Sequence, residues 1–276
     1  MKQETKLTVR KPILSYERTN RYYLMDNSIG THLMNAMQII VPLGEAFFIR
    51  SVKRFVEEVN PQLKKEVKAF IGQENIHKSE HIAFWKKLED QGFNLEPFRT
   101  FYDITIYGIL EPAMLTYFGP KFPLAVTVAL EHYTAVMSAY LMEQEPEVLE
   151  TMAEGVQDLI RWHFAEELEH KSVAFDVLAE VDGNYLRRVG GMLLASALLG
   201  PYMFLGALSF MIQDKELTLS RLWNDLWKGK EKLASLSKYT LQQVVDYFRV
   251  DFHPTDNDNE YLIEKYMPQE VIAKRG

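Results

Sequence analysis

The chain contains no cysteine among its 276 residues. This absence excludes disulfides, zinc–thiolate sites, iron–sulfur clusters and catalytic thiols, so a bound metal would need histidine and carboxylate ligands. A basic surplus is lacking too, because 31 Lys and Arg stand against 38 Asp and Glu and the formal net charge is −7. Since nucleic acids are bound through concentrated Lys and Arg, we expect no nucleic acid as a partner.

Charged residues are missing between Val189 and Gln213, a stretch of 25 residues. A bilayer crossing takes about 20 apolar residues, but Pro201 and several glycines interrupt this segment. Three interpretations stay open: a transmembrane span, a helix that contacts lipid at a membrane surface, and a helix buried within the protein or in a homodimer interface. The N-terminal residues 1–20 have no apolar run typical of a secretory signal, so we expect a cytoplasmic protein, with membrane association left open.

The spacing of apolar residues predicts an all-α chain, because it follows a helical period in nearly every long stretch and alternates convincingly in none. We expect a single domain. Its parts are an N-terminal extension (1–28), a four-helix bundle (29–182), additional helices (183–250) that include the apolar segment, and a loosely attached tail (251–276). The predicted helices cover about 29–59, 61–90, 101–118, 123–144, 146–181, 189–213, 217–227 and 231–250.

Two of these helices carry acidic and imidazole side chains on an otherwise apolar face. Burying a charge without a partner is costly, so this pattern indicates a function or a polar network. In the second helix, positions spaced alternately by four and three residues are Leu63, Val67, Phe70, Glu74, His77, His81, Phe84 and Leu88. In the helix over 146–181, the corresponding positions are Val156, Leu159, His163, Glu167, His170, Ala174 and Val177.

The pattern favours a centre of two metal ions. Residues three apart on a helix point the same way, so Glu74 and His77 can bind one ion while Glu167 and His170 bind the next. Glu45 and Glu131 lie in apolar runs of the two partner helices. Four carboxylates balance two divalent ions, and this order is that of the ferritin-like di-metal proteins. We therefore predict a ferritin-like four-helix bundle with additional C-terminal helices; the alternative is a buried polar network or solvated faces.

The motifs GEAFF, AFIGQENIHKSEH, LEHYTA and WHFAEELEHKSVAFDVL resemble a bacterial family described as predicted metal-dependent hydrolases, over about Ser28 to Phe210. The ligand order is also similar to that of the ferritin-like di-iron N-oxygenases that act on p-aminobenzoate. That second resemblance is confined to the ligand pattern, so the substrate does not carry over. It implies seven metal ligands: Glu45, Glu74, His77, Glu131, His163, Glu167 and His170.

Within this set, we expect Glu74 and Glu167 to bridge the two metals. Glu45 and His77 would complete one metal's ligands, while His163 and His170, with Glu131, would complete those of the other. His163 has an alternative role behind the ligands rather than among them. His81, one turn beyond His77, is interpreted as a residue behind the ligands or in a substrate pocket, with a surface position as the alternative.

Three functions fit this chemistry. The first is an enzyme that uses two iron ions, with manganese as the alternative metal, and dioxygen as co-substrate to oxidise or oxygenate a small molecule. Its substrate would be lipophilic if 189–213 lines the bundle or contacts a membrane, and an external electron donor is a further candidate partner. The second is a metal-dependent hydrolase that uses a metal-bound hydroxide at the same site. The third, iron storage, ranks last because a storage bundle does not need the additional helices.

Overall fold

The computed structural model describes residues 7–268, and these residues form helices and connecting turns without a β-strand. The predicted all-α class is confirmed. A π-helix (Asp103–Leu110) joins two of the α-helices, and a short 3-10 turn (Pro254–Asp256) precedes the last one. The α-helices are α1 (Ser28–Lys53), α2 (Pro61–Asp90), α3 (Glu96–Tyr102), α4 (Glu111–Phe118), α5 (Lys121–Glu143), α6 (Pro146–Glu150), α7 (Glu154–His170), α8 (Val173–Val181), α9 (Tyr185–Gln213), α10 (Leu219–Tyr247) and α11 (Tyr261–Tyr266).

Helix α2 has the predicted bounds because its ends are encoded locally. The Asn60 side chain accepts hydrogen bonds from the backbone N–H groups of Gln62 and Leu63, and Pro61 occupies the first turn, where its missing N–H costs nothing. Gly92 adopts a φ of 91° just after the helix, a conformation that glycine adopts without strain. These signals fix where each residue of α2 lies along the helix, and hence where its Glu and His side chains point.

The four helices with predicted ligands contact one another. Helix α1 packs along α2 and α5 packs along α7, while α1 also contacts α5 and α2 contacts α7. Two apolar clusters form the core, and along α2 the buried Glu and His residues lie between them, since Phe70 belongs to one cluster and Phe84 to the other. The ligand positions therefore lie within the core, in the central turns of α1, α2 and α5 and in the C-terminal half of α7.

Three predicted helix boundaries are wrong. Helix α1 ends at Lys53 and is followed by a turn in which the Phe55 N–H donates to the Val52 carbonyl. The helix predicted over 146–181 is divided into α6, α7 and α8. The predicted break between 227 and 231 is absent, because a single Gly229 within good helix formers weakens a helix by only about 1 kcal/mol and does not end it.

The predicted loose attachment of the tail is wrong for residues 251–268. Phe252, Leu262 and Tyr266 are buried, and the Tyr266 hydroxyl donates to the Met142 carbonyl. Residues 269–276 of that tail and residues 1–6 of the N-terminal extension lie outside the described residues.

Three helices are long and apolar enough to cross a membrane by length and composition alone: α1, α5 and α9. The most apolar windows of α1 and α5 are 67% and 78% buried, whereas that of α9 is 22% buried. The segment 189–213 is therefore not enclosed by the other described residues, which contradicts its interpretation as a helix buried within the protein. Its lipid-facing, membrane-spanning and homodimer interpretations stay predictions.

Candidate metal centre

The side chains of all seven predicted ligands converge on one place in the core, and none of them is more than 4% exposed. Four different helices supply them, so the cluster forms only when the helices pack. Helix α1 contributes Glu45, α2 contributes Glu74 and His77, α5 contributes Glu131, and α7 contributes His163, Glu167 and His170.

The ligand atoms form overlapping groups of three, each with all atoms within 4.8 Å of one another. Glu45, His77 and His163 form one group, in which the His163 Nε2 lies 3.5 Å from Glu45 Oε1. Two groups share Glu74. One of them joins it to Glu131 and His170, and the other to His77 and Glu167.

Glu167 lies centrally among the imidazoles. Its Oε1 is 2.8 Å from Nε2 of His163, 3.6 Å from Nδ1 of His77 and 3.6 Å from Nε2 of His170. The His170 Nε2 is also 3.1 Å from Glu74 Oε1. The two carboxylates that the sequence assigns as bridges thus face imidazoles from both α2 and α7.

The grouping of the histidines differs from the expected one. His163 lies with Glu45 and His77, whereas His170 lies with Glu74 and Glu131. The reason is the geometry of α7: seven residues separate His163 from His170, which at about 1.5 Å per residue places them about 10 Å apart along the helix. Their imidazoles therefore reach the central Glu167 from opposite ends of the cluster.

Burial and mutual interaction shift the pKa values of the acidic and imidazole side chains in the cluster. Burial, reinforced by the neighbouring carboxylates, raises the pKa of both Glu45 and Glu131 well above the usual range. Burial also lowers the pKa of His77 well below that of an ordinary histidine, and the nearby His163 adds to this effect. Burial alone would raise the pKa of Glu167, but His170 and His163 hold it well below its usual value.

The residues fit a pair of divalent metal ions. Within residues 7–268, neither carboxylate oxygen of Glu45, Glu74 or Glu131 makes a hydrogen bond of acceptable geometry. The inward nitrogens of His77 and His170 make none either. Buried polar atoms without partners are rare and costly, and metal ions satisfy such atoms directly. Four carboxylates also neutralise two divalent cations, and oxygen with imidazole ligands suits iron, manganese or zinc.

A model of the family described as "Predicted metal-dependent hydrolase" matches residues 8–258. The chain belongs to this family. The resemblance expected from the motifs is therefore confirmed, and the match includes every helix that carries a candidate ligand. The comparisons with curated proteins and with solved structures gave no match. The family description indicates a metal-dependent enzyme; it gives no support to oxygen chemistry.

In this metal-dependent hydrolase family member, the outward nitrogen of each candidate imidazole ligand is held by another side chain. The His77 Nε2 lies 3.0 Å from Glu166 Oε2, and the His170 Nδ1 lies 3.2 Å from Gln73 Oε1. The His163 Nδ1 lies 2.6 Å from His81 Nε2. Such contacts fix the orientation of a metal-binding imidazole and leave its other nitrogen free for the metal.

His81 lies behind His163 and is 1% exposed, so its interpretation as a surface residue is wrong. Its Nδ1 is 2.6 Å from Oε1 of Gln38 on α1. His81 thereby links His163 on α7 to Gln38 on α1. Burial, with His163 adding to it, lowers the pKa of His81 well below the usual value.

The contacts behind the ligands include residues that the sequence analysis did not identify. Glu166 is fully buried and binds Arg10 of the N-terminal extension at 2.9 Å. Arg10 also binds Glu169, which in turn accepts a hydrogen bond from the Gln73 amide. Arg10 lies in a segment without helical periodicity, so no pattern indicated it. Gln73 directly precedes a ligand, but polar residues are common along α2, so its residue type gave no signal.

Proposed function

We propose that the chain is a hydrolase whose ferritin-like bundle holds two divalent metal ions. The observation that carries this proposal is the convergence of four buried carboxylates and three buried imidazoles from four helices. Membership of the metal-dependent hydrolase family supports the reaction class. The substrate would be a small organic molecule with an ester, amide or phosphate bond.

The geometric groups suggest how the ions would be held. Glu45, His77 and His163 would bind one ion, while Glu74, Glu131 and His170 would bind the other. Glu167 lies among the three imidazoles and would bridge, together with Glu74. Two bound metals supply Lewis acidity to the scissile group and increase the acidity of water.

The protein's own contribution is orientation and enclosure. Glu166 and Gln73 each occupy the outward nitrogen of one imidazole, so His77 and His170 present the other nitrogen inward. His81 does the same for His163. With the ligands at most 4% exposed, the surrounding helices limit entry of bulk water to the centre.

Oxygen activation is the second candidate, and the enclosure of the donors favours it. Carboxylate-rich sites with a few imidazoles suit iron, and a shielded core protects reactive intermediates from water. Iron would be the metal, manganese the alternative, and dioxygen the co-substrate. Turnover would then depend on an external electron donor unless the substrate supplies the electrons.

The deciding experiment compares one protein loaded separately with zinc, manganese and iron. We expect a dialysed sample to retain about two ions per chain, and the zinc or manganese form to hydrolyse members of an ester, amide and phosphate panel under nitrogen. Glu74→Gln should abolish turnover because it removes a carboxylate shared by two ligand groups. Glu154→Gln, an exposed change on α7, is the matched control and should retain activity.

Oxygen activation would give a different set of results in the same experiment. Rapid oxygen consumption by the Fe(II) form, absent in Glu74→Gln, with no hydrolysis by any metal form would overturn the hydrolase proposal in favour of oxygen activation. Metal content well below one ion per chain in the parent protein would contradict both candidates.

A further inference from the structure

Helix α9 exposes an apolar face along most of its length. Leu193, Phe204 and Ile212 are 57%, 65% and 76% exposed, and Leu205 and Leu208 lie on the same side. The opposite side of α9 packs closely on α1 and α5, where Gly206 approaches Ala36 and Gly191 approaches the backbone of Ala125. A monomer in water rarely exposes so continuous an apolar surface without a binding function.

Helix α10 is amphipathic in the opposite sense to a core helix, because its apolar side faces outward. Leu219, Trp223 and Trp227 are 86%, 68% and 64% exposed, and Leu241 and Val245 continue the same face. Of its 29 residues, only Asp225 and Tyr247 are buried. Two of the chain's four tryptophans thus lie on one exposed helix.

The charges beside these tryptophans are positive, although the chain is acidic overall. Helix α10 contains Arg221 and four lysines against three acidic residues. Lys228, Lys230 and Lys238 are exposed and form no ion pair with any residue in 7–268. The Lys230 Nζ lies 3.1 Å from the centroid of the Trp227 ring. Leu, Trp and Lys together on an exposed helix are typical of binding to an anionic lipid surface.

Helices α9 and α10 both pack on the pair formed by α1 and α5. The segment 101–118 contacts α5 and α9 there and exposes Phe101, Ile104 and Phe118. Between this segment and α9 lies an apolar cleft, lined in part by Tyr102, Ile106, Leu198 and Tyr202. An apolar ligand dissolved in a bilayer would therefore meet a cleft of matching chemistry on this side.

We propose that the exposed face of α9, α10 and segment 101–118 binds the surface of an anionic lipid bilayer. A bilayer accounts for three features together: an uncharged stretch of 25 residues in α9, exposed tryptophans on the apolar face of α10, and lysines of α10 that form no ion pair with any residue in 7–268. A second copy of the chain accounts for them less well. A two-fold contact would bring the lysines of one α10 toward those of the other.

The test is sedimentation with vesicles of phosphatidylcholine alone or mixed with phosphatidylglycerol. We expect binding to the mixed vesicles and a blue shift of the tryptophan emission. Lys228→Glu with Lys230→Glu should weaken binding at least about tenfold, since each cation near an anionic surface contributes appreciably. Trp223→Ala with Trp227→Ala, and separately Phe204→Glu, should each reduce binding and leave the circular dichroism spectrum unchanged.

Matched controls come from α2, which lies beyond α1 from this face. Ile82→Glu changes an exposed apolar residue, and Lys65→Glu with Lys68→Glu reverses two exposed charges; both should bind like the parent. Equal binding by the α10 variants and these controls, or equal binding to vesicles with and without phosphatidylglycerol, would overturn the proposal. So would a vesicle-independent dimer that Phe204→Glu dissociates, because the face would then belong to a second copy.

Discussion

Oε2 of Glu166 lies 3.0 Å from Nε2 of His77, and both side chains are fully buried. The contact joins α7 to α2 directly behind the candidate metal centre. Because the His77 Nε2–H can donate to this carboxylate, the imidazole is fixed with its Nδ1 facing Glu74 and Glu167. Burial raises the pKa of Glu166 to about 7, although Arg10 opposes that shift.

Glu166→Gln should therefore weaken metal binding without removing a ligand. The amide keeps the size of the side chain but loses the negative charge that supports His77, and such changes cost about 10–100-fold in metal affinity. Competition with a chromophoric chelator measures the affinity. Glu154→Gln on the same helix, whose side chain is 74% exposed, is the control. An affinity equal to that of the control would exclude an orienting role for Glu166.

Glu131→Gln should change stability in opposite directions with and without metal. In the metal-free protein, both oxygens of Glu131 lack hydrogen-bond partners among the described residues, and Glu74 and Glu167 lie nearby. Because the pKa of Glu131 is raised, its carboxyl must take up a proton on folding at neutral pH, where it is ionised in the unfolded chain. A permanently neutral amide removes this cost, which is about 1.4 kcal/mol for each pH unit above the ordinary pKa until the raised pKa is reached. In the metal-loaded protein the same change removes a ligand and should lower the melting temperature.

Calorimetric melting of the parent protein and of Glu131→Gln, each with and without manganese, separates these effects. The sign of the change in melting temperature should reverse between the two conditions. A loss of stability of the same size in both conditions would show that Glu131 acts in packing alone.

Metal binding should release protons at neutral pH. Burial raises the pKa of Glu45 and Glu131 well above the usual range, so in the metal-free protein these groups hold protons that a metal must displace. The apparent metal affinity should therefore rise as the pH rises. Titration calorimetry in buffers of different ionisation enthalpy measures the number of protons, and Glu131→Gln should release fewer than the parent. A metal affinity that does not change with pH would contradict the displacement of protons from Glu45 and Glu131 by the metal.

The sequence was sufficient to predict α2 and the position of its ligands, because Asn60 and Pro61 set the start of the helix and the apolar spacing sets the face. It could not predict how residues without periodicity pack. Arg10, which contacts Glu166 and Glu169, lies in an irregular segment, and its partners are more than 150 positions away in the chain. The membership of His163 in the group of Glu45 and His77 depends on how the helices pack, although the rise along α7 already separates it from His170.

The outer helices show a second limit of sequence patterns. The uncharged run 189–213 was visible, but whether it is covered depends on what packs on both sides of α9. Likewise, the helical spacing of the apolar residues in α10 is compatible with a buried face and with an exposed face. Only the packing of Asp225 and Tyr247 inward shows that Trp223 and Trp227 point outward.

Two glycines of α9 should respond differently to alanine. A Cβ on Gly191 would lie 2.4 Å from the Ala125 carbonyl oxygen and 2.9 Å from the Val126 nitrogen, and these backbone atoms cannot move aside cheaply. Gly191→Ala should therefore destabilise the protein by about 1–3 kcal/mol. At Gly200 no atom of another part of the chain lies within 4 Å of the corresponding position, but Pro201 follows it and disfavours a Cβ on the preceding residue of a helix. Gly200→Ala should therefore change the stability by no more than about 0.5 kcal/mol, because the helix preference of alanine and the proline clash oppose each other.

Urea unfolding of both variants in vesicle-free buffer measures the difference through the transition midpoint at constant slope. The pair isolates one cause, since both substitutions add the same methyl group to the same helix. If Gly191→Ala were as stable as the parent, α9 would not lie as close to α5 as the Ala125 contact requires. Its loss of stability, with little change at Gly200, would establish that α9 is anchored on α5 at Gly191 while its other face stays open.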